Sequence, residues 1–172
     1  MIRLLALCIL VLPLRLGAEE AEPPMTIERM TQIVLALDPG AALGGAGFEL
    51  TIDNVPVVIV TDINANRMRA MVPIRGVDGL TFDEMQRLMQ ANFDSALDAR
   101  YAIAQGRLWG VFIHPFAELE RDQLISGIAQ TVNIARSYGT LYSSGVGQFG
   151  AGDSGRLQQR LIEDLLERGQ DI

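Results

Sequence analysis

Apolar residues near the start of the chain recur with the period of a helix. This pattern runs from Ile27 to Leu37, Thr26 precedes it as a capping residue, and Asp38-Pro39-Gly40 ends it. The sequence therefore predicts a helix here. The Gly- and Ala-rich residues 40–47 that follow are expected to be a flexible connection.

A pattern of period two then predicts three strands. Residues 48–52 alternate between apolar and polar, residues 55–61 form a β-branched run, and residues 67–75 alternate again. Asp53-Asn54 and the polar residues 62–66 have the chemistry of tight turns. The three strands are therefore expected to form consecutive hairpins.

The second half of the chain predicts further helices and one more hairpin. Thr81-Phe82-Asp83-Glu84 has the sequence of a capping box, in which each end residue binds the backbone N–H of the other. The helix that begins there has the apolar face Met85, Leu88, Met89, Asn92 and Phe93. Strands at 100–104 and 107–114 flank Gln105-Gly106, and a long helix runs from Glu118 to Gly139.

The predicted order of elements is α-β-β-β-α-β-β-α plus a C-terminal helix. Strands joined by short turns pair antiparallel, so we expect an α+β fold with a five-strand antiparallel sheet and helices on one face. The expected organisation is a signal peptide at residues 1–18, a disordered lead at 19–25, the α+β domain at 26–140, a Gly- and Ser-rich linker at 141–155 and an amphipathic helix at 156–170.

The first 18 residues have the features of a secretory signal peptide. Arg3 gives a positive start, residues 4–14 are apolar apart from Pro13, and Ala18 precedes acidic residues. The apolar run is shorter than the about 20 residues of a membrane span. We therefore expect a periplasmic or secreted protein without a membrane span, which loses Cys8, its only cysteine, on processing.

Composition excludes several kinds of chemistry. The 172 residues are 49% hydrophobic and 20% charged, which is typical of a globular protein, and all 14 cationic side chains are Arg. The lack of Lys excludes Schiff-base and Ser–Lys mechanisms. The formal net charge of −7 disfavours nucleic acid as a partner.

Several short segments stand in characteristic places among these elements. They are Asn92-Phe93, Arg100-Tyr101-Ala102-Ile103, Gln105-Gly106, Leu108-Trp109-Gly110-Val111-Phe112 and Pro115. Together with the element order from Thr26 to Gly139, they resemble the YbjN-like and type III secretion chaperone-like superfamily. The resemblance implies a small dimeric α+β protein, and the secretion chaperones of that superfamily bind extended segments of client proteins. A homodimer that binds a protein or peptide partner is therefore expected.

Two motifs suggest ligands but lack the context that such ligands need. The segment Gly145-Val146-Gly147-Gln148-Phe149-Gly150 matches G-x-G-x-x-G, but it follows a helix instead of a strand. The segment Asp62-Ile63-Asn64-Ala65-Asn66 begins like a calcium loop, but Arg67 stands where that loop needs Gly. We interpret the first as a linker and the second as a turn, and we expect no cofactor and no metal.

The titratable residues near the end of the second hairpin also have a simple interpretation. His114 is the only histidine, and we expect a partly exposed side chain bound to a carboxylate such as Glu118. Glu118, Glu120 and Asp122 stand where acidic residues stabilise the first turn of a helix. The alternative, an acid and base pair, would make the protein a small carboxylate-dependent hydrolase.

The candidate partner-binding residues are Arg67, Arg69, Arg75 and Trp109. The three arginines share one face of a predicted strand in an acidic chain. They form either a solvated face or a cationic strip for acidic side chains, since guanidinium groups bind carboxylates bidentately. The apolar set of Met68, Met71, Met85, Met89, Phe93 and Trp109 is either core, which is the simpler interpretation, or an adaptable binding surface.

The sequence as a whole predicts an exported, non-enzymatic protein-binding or chaperone-like protein. The alternatives are the carboxylate-dependent hydrolase and a regulatory subunit of an envelope complex.

Overall fold

The computed structural model describes residues 22–44, 47–94, 97–139 and 153–170. The predicted signal peptide, Cys8 and the G-x-G-x-x-G segment lie outside these ranges. The described elements are α1 (Ile27–Leu37), β1 (Ala42–Gly44), β2 (Gly47–Ile52), β3 (Val55–Asp62), β4 (Arg67–Gly76), α2 (Phe82–Asp94), β5 (Arg100–Ala104), β6 (Arg107–His114), α3 (Arg121–Arg136) and α4 (Asp153–Arg168). No helix within the described ranges has the length and apolar character to cross a membrane.

The strands form one antiparallel sheet in the order β1-β2-β3-β4-β6-β5. The predicted α+β class is confirmed, but the prediction of five strands is wrong because β1 adds a sixth. Its three residues pair with Gly47, Phe48 and Glu49, and all three are exposed. A strand this short and exposed has no alternation of apolar and polar residues, so its sequence resembles a flexible connection.

The helices take different places around the sheet. α3 contacts β3, β4, β5 and β6, and α1 contacts β2. α2 instead contacts the edge strand β5, and α4 packs on α3 and α1. The expected layer of helices on one face is therefore made by α1 and α3, while α4 lies outside α3.

Close contact between α3 and the sheet depends on two glycines. A Cβ atom at Gly127 of α3 would stand 2.4 Å from the Phe112 ring, and one at Gly110 of β6 would stand 3.1 Å from the Thr131 carbonyl oxygen. Polar contacts add to this packing, because the Tyr101 hydroxyl donates to the Ile134 carbonyl at 2.7 Å. α3 therefore holds the middle and one edge of the sheet together.

The predicted caps are present. The Arg29 N–H donates to the Thr26 hydroxyl at 3.1 Å. In the capping box of α2, the Thr81 N–H donates to Glu84 Oε2 at 2.8 Å, and the Glu84 N–H donates to the Thr81 hydroxyl at 3.2 Å. Several contacts lower the pKa of Glu84, and the hydrogen bond from the Thr81 N–H has the largest effect.

Part of the expected disordered lead is ordered. Met25 is buried, and its N–H donates to the Ala117 carbonyl at 3.0 Å. Glu22 Oε2 accepts the N–H of Arg121 at 3.0 Å and also binds the Arg29 guanidinium. The prediction of disorder is therefore wrong for residues 22–25, because one apolar side chain and one carboxylate fix them to the first turn of α3.

We expect Gly127→Ala to lower the free energy of unfolding by about 1–3 kcal/mol, because the added methyl overlaps the Phe112 ring. This loss should appear even though Ala is favoured over Gly in a helix by about 1 kcal/mol. Urea denaturation of the variant and of the double variant Gly127→Ala with Phe112→Leu tests the cause. The smaller ring-free side chain should recover part of the loss, and a Gly127→Ala protein as stable as the parent would contradict the packing described.

Glu22 should make stability depend on pH in the acid range. Its pKa lies below the ordinary 4.5, first because of the Arg121 N–H and also because of Arg29, against the opposing effect of burial. Its contribution is therefore complete above about pH 4.5 and is lost as the pH falls through the lowered pKa. We expect Glu22→Gln to cost about 0.5–1 kcal/mol at neutral pH, since the pair is partly exposed, and progressively less as the pH falls below about 4.5. Glu49→Gln, a loss of one exposed carboxylate on β2, is the control for denaturation at each pH.

Candidate functional site

The sheet has one face away from α1 and α3, called here the outer face. Its residues alternate with core residues along each strand. The central side chains of the outer face are apolar and at least partly exposed. They are Val58 and Val60 on β3, Met71 and Pro73 on β4, Trp109, Val111 and Ile113 on β6, and Ala102 on β5.

These side chains stand in cross-strand rows. The rows are Val60–Arg69–Ile113, Val58–Met71–Val111 and Pro73–Trp109–Ala102. Directly opposite residues have Cβ atoms about 5 Å apart, so neighbouring side chains touch. The result is an apolar surface across β3, β4, β6 and β5 that is about 14 Å wide, or three strand spacings, with Arg69 standing between Val60 and Ile113 in its last row.

Charged side chains surround this apolar surface. The cations are Arg67 and Arg69 on β4, Arg100 on β5 and Arg107 on β6, and the carboxylates are Glu49 on β2 and Asp62 on β3. Asp62 is the cross-strand partner of Arg67, and Arg100 also donates to the Ala99 carbonyl at 2.9 Å. The outer face therefore carries more positive than negative charge, which is the opposite of the chain's net charge of −7.

The indole ring of Trp109 makes two polar contacts that fix it in the outer face. Its Nε1 donates to the Ala104 carbonyl at 3.1 Å, and the Arg107 guanidinium lies 5.8 Å from the ring centroid. A half-buried indole held in this way offers a rigid apolar surface to a partner.

Arg75 does not share the face of Arg67 and Arg69, and the prediction that it does is wrong. The register of β4 with β6 shifts between Pro73 and Arg75, so that Arg75 pairs with the core residue Leu108. Its guanidinium donates to the Asp78 carbonyl at 2.8 Å and to the Tyr138 hydroxyl at 3.4 Å. Arg75 therefore fixes the loop after β4 to the end of α3. The bulge responsible has no clear signal in the sequence.

A second apolar surface lies along α2. Phe82, Met85, Met89 and Phe93 form a stripe at helical spacing, called here the α2 stripe, with exposed fractions from 36% to 75%. Beside the stripe, between α2 and β5, lies a cavity of about 190 Å³. It is lined by Met85, Leu88, Met89, Tyr101, Ala102, Ile103 and Leu108. Only Met68 of the named methionines is fully buried core, so the simpler interpretation is wrong for the α2 residues. α2 borders an edge of the sheet, and a helix in that position buries a narrow line of side chains.

The polar residues considered as catalytic or metal-binding have structural partners. His114 Nδ1 donates to the Pro115 carbonyl at 2.8 Å, and not to Glu118 as predicted. Glu118 instead accepts from Asn66 Nδ2 at 2.8 Å, and Asp62 accepts the N–H of Ala65 at 3.0 Å. The predicted turn at residues 62–66 is thus confirmed, and its side chains bind the protein's own groups. In the described part of the chain, no three His, Cys, Asp or Glu side chains are grouped as metal ligands.

A cavity of about 680 Å³ lies between β6, α3 and α4. Gln130 lines it, with an amide oxygen that accepts the N–H groups of Asp98 and Ala99 and an amide nitrogen that donates to Asp98 and Ser126. Asp122, also in the lining, is paired with Arg121. The side chains of Gln130 and Asp122 in this cavity therefore bind other groups of the protein itself.

Sequence reasoning missed most of the apolar residues of the outer face. A signal for them exists, because residues 55–60 and 108–113 are apolar almost without interruption. Such runs are typical of strands with apolar side chains on both faces.

The sequence matches no protein-family model and no curated protein. Among solved structures, the chain is similar to one chain of the ExsC–ExsE complex, with 17% identity and a TM-score of 0.46 over 68% of this chain and 96% of that chain. It is also similar to one chain of the HopA1–SchA chaperone–effector complex, with 13% identity and a TM-score of 0.47 over 63% of this chain and 95% of that chain. These likenesses concern the fold alone and say nothing of what this chain binds.

Proposed function

We propose that this chain is an exported, non-enzymatic, chaperone-like protein whose outer face binds a protein partner. The single observation that carries the proposal is the apolar surface of β3, β4, β6 and β5, which no described helix covers and which arginines border. Contiguous apolar surface of this kind is rare on a protein that binds nothing.

The composition of the outer face supports a protein as the partner. Binding surfaces on proteins combine an apolar centre with a polar border, and they are enriched in Trp, Met and Arg. Trp109 and Met71 stand in the centre here, and Arg67, Arg69 and Arg107 stand at the border. The border arginines select acidic partners and steer their approach.

The Met71→Glu variant tests this function. A carboxylate in the middle row desolvates poorly against Val58 and Val111, so we expect partner affinity to fall by about 2 kcal/mol or more. The measurement compares the proteins that immobilised parent and variant retain from an envelope extract of the source cells. Circular dichroism confirms that the variant is folded.

The matched control is Leu35→Glu, which introduces the same charge at a 43% exposed apolar residue of α1. We expect one discrete protein to be retained by the parent and by Leu35→Glu and to be lost with Met71→Glu. If the parent, Met71→Glu and Leu35→Glu all retained the same proteins, the outer face would not be the binding surface.

We propose further that the protein is a homodimer formed through the α2 stripe. A two-fold interface brings the same patch of both copies together, so an uncharged apolar stripe is complementary to its own copy. The stripe has no charged side chain along its line, unlike the outer face, and therefore does not favour an acidic partner.

We expect Met89→Glu to convert the dimer to a monomer, because two like charges would meet near the two-fold axis. Light scattering coupled to gel filtration measures the mass, and Leu35→Glu should remain dimeric. A parent protein that is monomeric at all concentrations tested would refute the dimer and leave the outer-face proposal untouched.

A further inference from the structure

Side chains of the chain itself bind backbone groups at both ends of the sheet. At the β5 edge, Asn92 of α2 accepts the Tyr101 N–H at 2.7 Å and donates to the Tyr101 carbonyl at 3.1 Å. Because β5 pairs only with β6, these bonds lie on its free edge. The Asn92 amide thus takes the place that a neighbouring strand would occupy.

At the opposite end of the sheet, β1 is the edge strand and covers Gly47 to Glu49 of β2. Beyond β1, Asp38 Oδ2 accepts the Thr51 N–H at 2.7 Å, while its Oδ1 accepts the Gly40 N–H at 2.8 Å. A partner strand that paired with β2 at Thr51 would have to displace this charged hydrogen bond.

The outer face, where we propose that the partner binds, restricts the partner's backbone conformation. An extended segment laid on Val58, Met71 and Val111 would find no hydrogen-bond partners for its N–H and C=O groups among these apolar side chains. A helix satisfies these groups internally and presents only side chains. Its diameter of about 10–12 Å also matches the about 14 Å width of the apolar surface.

We infer that the partner element bound on the outer face is an amphipathic helix with carboxylates beside its apolar stripe. This inference rests on the proposed function and gives the kind of partner. The acidic flank follows from charge, because Arg67, Arg69, Arg100 and Arg107 outnumber Glu49 and Asp62 on this face. A second copy of the same face is disfavoured, since it would bring arginines to a surface already rich in them.

The test uses synthetic peptides of about 18 residues, or roughly five helical turns, made of Leu and Glu with capped ends. In the helix peptide, Leu recurs at i, i+3, i+4 and i+7. In the strand peptide, the same residues alternate with period two. A third peptide keeps the helical order and replaces every Glu by Lys. Fluorescence anisotropy with the full chain measures the dissociation constants.

We expect the helix peptide to bind at least about tenfold tighter than the strand and Lys peptides. Arg67→Ala with Arg69→Ala should weaken it about tenfold and reduce its dependence on salt, because these charges are screened by ions. Arg87→Ala with Arg160→Ala removes two exposed arginines of α2 and α4 and is the matched control, which should bind like the parent.

The possible results separate this inference from the proposed function. Equal binding of the helix and strand peptides, lost in both cases with Met71→Glu, would keep the outer face as the binding surface and overturn the helical partner. Equal binding of the Lys peptide would overturn the acidic flank. No binding of the helix peptide would overturn the inference, while the envelope-extract experiment would still decide the function.

Discussion

The fold depends on how closely α3 approaches the sheet. Gly127 lets the helix backbone meet the Phe112 ring, and Gly110 lets β6 approach Thr131 and Ile134. From this position α3 contacts four strands, and its side chains are buried both towards the sheet and towards α4. Gln130 and the Tyr101 hydroxyl then tie the start of β5 to the same helix. Because one helix supplies the cover for so much of the sheet, all of the strong apolar packing lies on one side. The outer face is left to solvent or to a partner.

This asymmetry explains why the proposed binding surfaces lie where they do. A sheet with helices on one side normally carries polar side chains on the other, yet β3, β4 and β6 have apolar residues on both faces. The edges behave differently, because Asn92 and Asp38 satisfy backbone groups that would otherwise invite a strand from another chain. The α2 stripe arises from the same arrangement, because α2 borders an edge and buries Leu88 and Ala91 while its other apolar residues remain exposed.

Much of this architecture can be predicted from local patterns. The caps at Thr26 and at Thr81 with Glu84 depend on residues three positions apart, and the turn at residues 62–66 depends on local backbone chemistry. These interactions are complete within a few residues, so the sequence displays them directly. The α+β class follows from the order of such elements. The strand β1 could not be predicted, since three exposed residues take their conformation from the hydrogen bonds of β2.

The candidate site shows where local patterns stop being informative. The sequence by itself determined that Arg67 and Arg69 project from one side of β4, because side chains alternate along any regular strand. Only the tertiary structure decided that Arg75 does not join them, since the bulge after Pro73 arises from pairing with β6. The sequence likewise determined that α2 has an apolar face, because a period of 3.6 residues is enough to define one. Whether that face is core or surface was decided by the place of α2 beside β5, since burial depends on which other elements come within reach.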